Sequence, residues 1–441
     1  MVTQQKEQAF VLLELMNHMV LVAQEAKRRG FRVVALNHDP LNPSGAFAVP
    51  DGTVDELLHI DSWTDAERVR ETVHALHERY DVAGTYAAFE PTLTFEAELR
   101  ELAGLPNNGP QNIAQVIDKA HVRRKLYAEG LSELRSVPLA EALEWDAWQF
   151  TRPAVLKPAH GTGSALCFIV SSLEELRTAA GRTEAAAVVS ALTKEYILAH
   201  GDFILEELAE GELVSVESVV DRGTVHTVGI TGRYISSLDA VVEQGFIFPY
   251  EHPRAAEIAA KAAEIHHSLG VVHGPTHLEF IISADGRAEL IDFNARTIGL
   301  AVVVCIGNAY DIDYAAPLTD IACGIEPDLS FLGKAPKASV DMLLLPPAGT
   351  TELTELVFPE GTECRRITKP FGQPLSGRTD QLDVVGMFVV TADTAEEAHH
   401  KALAARRDTL INGAPLGDDP NNQLVQPTYI PASALTERTP A

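Results

Sequence analysis

Two hydrophobic periods divide this chain. Near the amino end, short apolar runs alternate with segments of helical spacing: VLLEL, LVAQEAKRRG, FRVVALNHD, DVAGTYAAFE and EAELRELAGL. Strands separated by amphipathic helices of that length predict βαβ units, a parallel sheet and right-handed crossovers. No GxGxxG follows the first strand, so a dinucleotide site there has little support. Residues 1–115 read as a supporting α/β domain. A charged helix follows, IDKAHVRRKLYAEG, closing at Gly130, and then the strand AVLKP and the loop AHGTGSA. From 203 the period shortens to two, in long strands broken by turns: FILEELAEGE, LVSVESVVDRGTVHTVGIT and VVEQGFIFPYEHP. A helix over 254–269 precedes a hairpin at 277–296. From about 335, KASVDMLLLPP and DVVGMFVVTA predict further strands, and Thr394 with Glu397 has capping-box spacing for a helix. The expected division is 1–115, 116–335 and 336–441, the last with an irregular Pro- and Asn-rich tail. The chain is read as an α/β and α+β multidomain protein without internal repeats.

The most informative segment is HLEFIISADGRAELIDFNAR. Asp285 and Gly286 form an Asp-Gly pair between apolar runs, which predicts a two-residue hairpin loop. If Ala284 faces Arg287, counting outward places Glu279 across from Asp292 in a non-hydrogen-bonded pair, with Cα atoms about 4.5 Å apart. Opposed like charges cost energy in a sheet. A divalent cation turns that cost into ligation, since Mg²⁺ typically takes one or two carboxylates plus phosphate oxygens. Asn294 and Arg296 follow at alternate positions on the same face, an amide oxygen and an anion holder. The plainer alternative is a solvent-facing hairpin with scattered charges.

Other segments carry weaker signals. Lys157 ends an apolar strand before a loop with Gly161, Gly163 and Ser164, an order that suits phosphate because glycines admit backbone N–H groups to the oxygens. A solvated lysine beside an ordinary turn explains it as well. Lys119 shares a basic helix face with Arg123, which a solvated surface also explains. Glu206, Glu207 and Glu212 flank Leu208 and Ala209 at a strand-to-loop hinge, where a purine and a ribose could be held or where surface acids simply sit. His273 and His277 are four apart, but Pro275 between them forbids the helix that would make them a metal pair. They read as structural or substrate-contacting residues.

Composition narrows the classes. Of the 441 residues 46% are hydrophobic and 22% charged, and no run approaches a membrane span. No signal core opens the chain, so the cytoplasm is the expected compartment. Cys167, Cys305, Cys323 and Cys364 have no metal or disulfide spacing. A formal charge of −27 opposes nucleic acid and anionic membrane as partners.

Taken in order, Lys119, Lys157 with its glycine loop, Glu206 to Ala209, Glu279, and Asp292 with Asn294 and Arg296 resemble the ATP-grasp superfamily over about residues 5–330. GPTHLEF and LIDFNARTIG are the most specific pieces, and the carboxy-terminal part is similar to the extra domain of the L-amino acid ligase branch. The resemblance implies an ATP-grasp fold with a lid over about 150–205. It implies that Lys119 and Lys157 contact ATP phosphates under a loop from His160 to Ser164. Glu206 with the backbone of Leu208 and Ala209 would hold adenine, and Glu212 the ribose. Glu279, Asp292 and Asn294 would bind Mg²⁺, as one ion or two, with Mn²⁺ as a substitute, and Arg296 the phosphoryl group. Asp292 stands where a glutamate is usual, and the first strand lacks the glycine that often follows it. Candidate pocket residues are Phe246 in EQGFIFP, His277, Gly299 and Leu300. The implied reaction is ATP-dependent amide formation between small amino acid or peptide substrates through an acyl phosphate, in an enzyme that is often a homodimer. Alternatives are a biotin-carboxylase-like or nucleotide-biosynthetic enzyme of the same fold, or a non-catalytic ATP-binding regulator.

Overall fold

The computed structural model describes residues 6–41, 47–161, 165–184, 191–238, 242–299, 301–333, 337–375 and 383–425. Gly163, Ser164, Leu300 and most of the expected irregular tail lie outside them.

The amino-terminal pattern folds as its period requires. Strands Gln8–Leu13, Arg32–Asn37, Glu56–His59 and Asp81–Ala87 form a four-stranded sheet in the order third, second, first, fourth, all parallel. Its centre reads QAFVLL and RVVALN, apolar on both faces, as a sheet covered on both sides demands. Odd-numbered residues such as Val11 and Leu13 pack under the helices Ala66–Arg79 and Leu93–Leu102. Phe10 and Leu12 face the other way, against helices Val302–Tyr310 and Ala315–Ala322. The edge strand Glu56–His59 is only half buried and shows no apolar run, which is why its period does not announce it.

Eight antiparallel strands make the central sheet, in the order Ala288–Asn294, Gly274–Ile282, Glu212–Asp221, Thr224–Ile235, Glu243–Phe248, Ala338–Leu344, Gly386–Ala392 and Glu363–Ile367. The boundary expected at 335/336 is therefore crossed by the sheet. Ala338–Leu344 pairs with Glu243–Phe248 on one side and Gly386–Ala392 on the other, and all seven of its residues are buried. Alternation shows that ASVDMLL is a strand but not which strands it joins, since either neighbour satisfies its backbone equally. Helices Ala255–Leu269 and Ala395–Asp408 cover the outer face. The first closes on Gly270 at φ +65, the left-handed position glycine takes without cost. The second opens on Thr394, whose hydroxyl accepts from the Glu397 N–H at 3.1 Å.

A third, small sheet joins Ser136–Pro138, Phe203–Glu207, Ala154–Pro158 and Phe168–Val170 in that order, over its own core of Trp145, Phe150, Leu156 and Leu176. It stands against the end of the central sheet that carries the 277–296 hairpin, and the gap between them is the site. No described helix is long and apolar enough to cross a membrane.

Candidate active site

The hairpin at the heart of the site differs from its expected form in two places that cancel. Ser283 N–H donates to Arg287 O at 3.0 Å, so the loop holds three residues, with Gly286 at φ +87, rather than the expected two. Pairs near the turn then run Ile282 with Ala288, Ile281 with Glu289 and Phe280 with Leu290, one step out of the expected register. A bulge at Ile291 adds the missing step, and beyond it Glu279 faces Asp292 and His277 faces Asn294. The bulge also releases the Ile291 carbonyl from the ladder, and that oxygen accepts from Lys157 Nζ at 3.1 Å.

A cleft of about 380 Å³ opens between the small and central sheets. Lys119, Lys157 and Glu206 stand on one wall, Glu279 and Asp292 on the other, and the backbone from Leu208 to Gly211 forms the hinge. Each charge has a local cause. Asp118 caps the helix Lys119–Ala128 by accepting from the N–H groups of Ala120 and His121 at 2.8 and 3.2 Å, which fixes Lys119 in the first turn. Its ammonium reaches Asp292 Oδ1 at 2.9 Å and donates to Gly161 O at 3.1 Å. Burial alone would lower the Lys119 pKa, but Asp292 and Glu90 outweigh it and raise it, so the side chain is charged.

Lys157 and Arg123 converge on Glu206. Lys157 Nζ lies 2.9 Å from Oε1, and Arg123 contacts both oxygens at 2.9 and 3.0 Å. Burial pushes the Glu206 carboxyl up and the two cations pull it further down, below its usual range. The Leu208 N–H donates to Pro153 O at 2.9 Å. Glu212 is turned out of the cleft: its carboxylate accepts from the Tyr250 hydroxyl and lies 3.5 Å from His252 Nε2. Strand alternation explains this, since Glu212 and Leu213 point to opposite faces and Leu213 lines the cleft.

The two opposed acids each have a cation of their own. Asp292 has Lys119, whereas Glu279 lies 3.1 Å from His277 Nε2 and 3.5 Å from Arg233 Nη2. Burial raises the Glu279 pKa, and His277 with Arg233 reverses the shift, leaving it well below the ordinary value. His277 Nδ1 in turn lies 2.8 Å from Glu217, and despite burial its pKa is pushed up to about 9. Among the described residues no three His, Cys, Asp or Glu side chains converge as a metal cluster. Two carboxylates facing one cleft fit a cation that completes its shell with phosphate oxygens, and Asp292 Oδ1 already meets the Lys119 ammonium, a positive charge in the position a cation would share. Asn294 gives less: its oxygen accepts from Arg296 Nη2 at 3.0 Å and its NH₂ donates to Asp292 at 3.3 Å. Half a turn about its last bond exchanges the two and offers the oxygen to a cation.

Arg296 is buried and committed. Its Nε and Nη2 contact Glu90 Oε2 at 2.9 and 2.7 Å, and Nη1 donates to Thr297 O at 3.1 Å. Phe246 is off the cleft wall; it sits in the core shared with the amino-terminal sheet, its ring 5.8 Å from the Arg233 guanidinium. Gly299 has open space where a side chain would stand. His273 belongs elsewhere, accepting from Arg100 or donating to Ile321 O, and burial with Arg100 lowers its pKa to about 4.

Sequence reasoning missed Glu90 and Arg233. Both carry a signal: Glu90 follows the carboxyl end of a parallel strand, where ligands gather in open α/β sheets. Arg233 interrupts the apolar run GITGRYI, and an arginine there is buried only if paired.

Residues 150–304 match the family described as ATP-grasp domain, and residues 23–107 the ATP-grasp N-terminal domain. The chain is 24% identical over 395 residues to an uncharacterised protein of Sinorhizobium fredii, covering 85% of this chain and 77% of that one. It is 24% identical over 246 residues to an L-arginine-specific L-amino acid ligase of Bacillus subtilis, covering 53% and 55% of the two chains. The crystal structure of an L-amino acid ligase from Bacillus licheniformis superposes with a TM-score of 0.74 at 17% identity, covering 93% of this chain and 99% of that one.

Proposed function

We propose that this chain, whose residues 150–304 match the ATP-grasp domain and 23–107 the ATP-grasp N-terminal domain, joins the carboxylate of an amino acid or similar small acid to the amine of another amino acid or peptide. The observation that supports this most is the cross-strand pairing of Glu279 with Asp292 on one wall of a cleft whose facing wall carries Lys119 and Lys157. Two acids and two cations at the mouth of one cleft suit a triphosphate with a divalent ion.

ATP-grasp enzymes use ATP and Mg²⁺. In this reading Glu279 and Asp292 hold the ion, with Asn294 as a third donor, and the bound ion supplies charge neutralisation to the phosphates. Lys119 and Lys157 bind phosphate oxygens, and Glu206 and the hinge from Leu208 to Ala209 meet the base. For the hinge, the Leu208 carbonyl and the Ala209 backbone are the groups to read, since the Leu208 N–H is engaged. A ribose contact from Glu212 requires its carboxylate to leave Tyr250. The substrate carboxylate attacks the γ-phosphorus, ADP leaves, and an amine displaces phosphate from the acyl phosphate. Lysines placed beforehand stabilise the charge that develops on the transferred group. Arg296, paired with Glu90, faces that group, and His277 holds Glu279 in place. The small sheet acts as the lid of about 150–205 that keeps water from the acyl phosphate. A homodimeric state and a cytoplasmic location belong to the same reading.

The deciding experiment incubates purified protein with Mg-ATP and pools of amino acids, with and without bicarbonate, and reads phosphate release and product mass. Release that requires two amino acids supports the ligase. Release that requires bicarbonate instead moves the chain to the carboxylase reading, and ATP binding with no release under any pool moves it to a regulator.

A further inference from the structure

The lid brings a second set of polar groups to the Arg296 end of the site, and nothing in the reaction described above uses them. Helix Ala191–His200 is tied to the amino-terminal region by Glu195, which accepts from the hydroxyls of Ser62 and, at 2.9 Å, Thr64. The next residue, Tyr196, is 5% exposed, and its hydroxyl is buried with no hydrogen-bond partner. Its ring packs edge-on against His160 at 6.4 Å and His200 at 4.7 Å, and those two imidazoles stack at 4.1 Å. His160 leads into the glycine loop, one residue before Gly161, whose carbonyl Lys119 holds. Its Nδ1 is a second buried atom without a partner. Burial lowers the His160 pKa to about 4, with His200 adding to the effect, so the ring is neutral. The Tyr196 hydroxyl also lies in the field of Glu90 and Arg296, the two groups whose charges most affect its ionisation after burial itself.

Buried hydroxyls are nearly always hydrogen-bonded, and one left alone costs free energy. An orphan donor in the field of Arg296, with Glu90 and Asp118 as the other charges near it, and packed on the root of a phosphate loop suits an acceptor oxygen carried by a bound reactant. We propose that the Tyr196 hydroxyl donates a hydrogen bond to an anionic oxygen of the bound reactants, either the γ-phosphoryl group of ATP or the carboxylate of the acid substrate. This rests on the ligase reading for the second source but not for the first. Tyr196 thereby couples lid closure, fixed by Glu195, to the presence of the group to be transferred.

The test compares wild type with Tyr196→Phe. Because the hydroxyl has no partner in the free protein, the variant melts at the same temperature or higher. Calorimetric titration with Mg-AMPPNP and Mg-ADP reads the nucleotide arm. A phosphoryl contact weakens AMPPNP binding about tenfold while leaving ADP within about twofold, the size expected for a hydrogen bond to a charged oxygen. A carboxylate contact leaves both nucleotides unchanged and raises the half-saturating amino acid concentration for phosphate release about tenfold. Equal weakening of both nucleotides shows lid packing and overturns the proposal. So does unchanged binding of both nucleotides when phosphate release is absent or responds to amino acids as in wild type. The nucleotide arm needs no turnover, so a failed ligase reading and a failed tyrosine contact give different results.

Discussion

Arg296 and Glu90 are 206 residues apart in the chain and joined in space, two guanidinium nitrogens meeting one carboxylate oxygen at 2.9 and 2.7 Å. The contact fastens the segment that follows the last strand of the hairpin to the turn at the carboxyl end of the parallel sheet. Glu90 is 2% exposed, so neither partner has water to fall back on.

Glu90→Gln removes the negative charge and leaves a buried arginine undercompensated. The expected loss of stability is about 2 kcal/mol, the usual scale for breaking a charged hydrogen-bonded pair while keeping its shape. Urea unfolding followed by circular dichroism measures it, and an unchanged midpoint would show that Arg296 is held by its other partners.

Glu279→Gln and Asp292→Asn keep the side-chain shapes and the hairpin, so both variants should show wild-type circular dichroism. Phosphate release should fall about a hundredfold or more in each, since metal-assisted charge stabilisation is worth several kcal/mol. Full activity in either variant removes that residue from the metal site. Chelation of Mg²⁺ should abolish release in the wild type, and readdition should restore it.

Asp341 offers a pH signature from a residue that does not line the cleft. It is fully buried, neither carboxylate oxygen has a hydrogen-bond partner, and burial pushes its pKa up to about 8 against a partial pull from Arg233. The folded state therefore holds a proton that the unfolded chain, with an ordinary aspartate near 3.8, releases. Stability conferred by that proton is present at low pH, declines as pH rises from about 4 to about 8, and changes no further above that, at up to about 1.4 kcal/mol per pH unit. In Asp341→Asn this component disappears, so the difference in unfolding free energy between variant and wild type should grow in favour of the variant between about pH 5 and about pH 7.5. A difference that stays constant across that interval would mean Asp341 is ionised when folded.

Hydroxylamine intercepts acyl phosphates. Added with ATP and an amino acid that supports phosphate release, it should yield a hydroxamate in place of the amide. Amide formation that continues with no hydroxamate detectable would argue against an intermediate open to outside nucleophiles.

Much of the architecture was legible because it is written in local periods. The βαβ run of residues 8–87, the Gly270 and Thr394 helix ends and the strand nature of ASVDMLL follow from side-chain spacing and backbone preference. The confrontation of Glu279 with Asp292 was legible too, though by compensation. The three-residue loop shifted the register one way and the Ile291 bulge shifted it back, and neither is visible in alternation alone.

By itself, then, the amino-acid order determined which segments are strands and helices, which face of each is apolar, and which acids and lysines stand at the ends of those elements. Only the tertiary structure decided that the strand after 337 extends the central sheet, that Glu212 turns to Tyr250, that Phe246 lies in the core, and that Arg296 closes on Glu90. The reason is range. Periodicity is set by contacts within a few residues, whereas strand neighbours and buried ion pairs are chosen by the joint burial of groups that meet only after the chain has closed on itself.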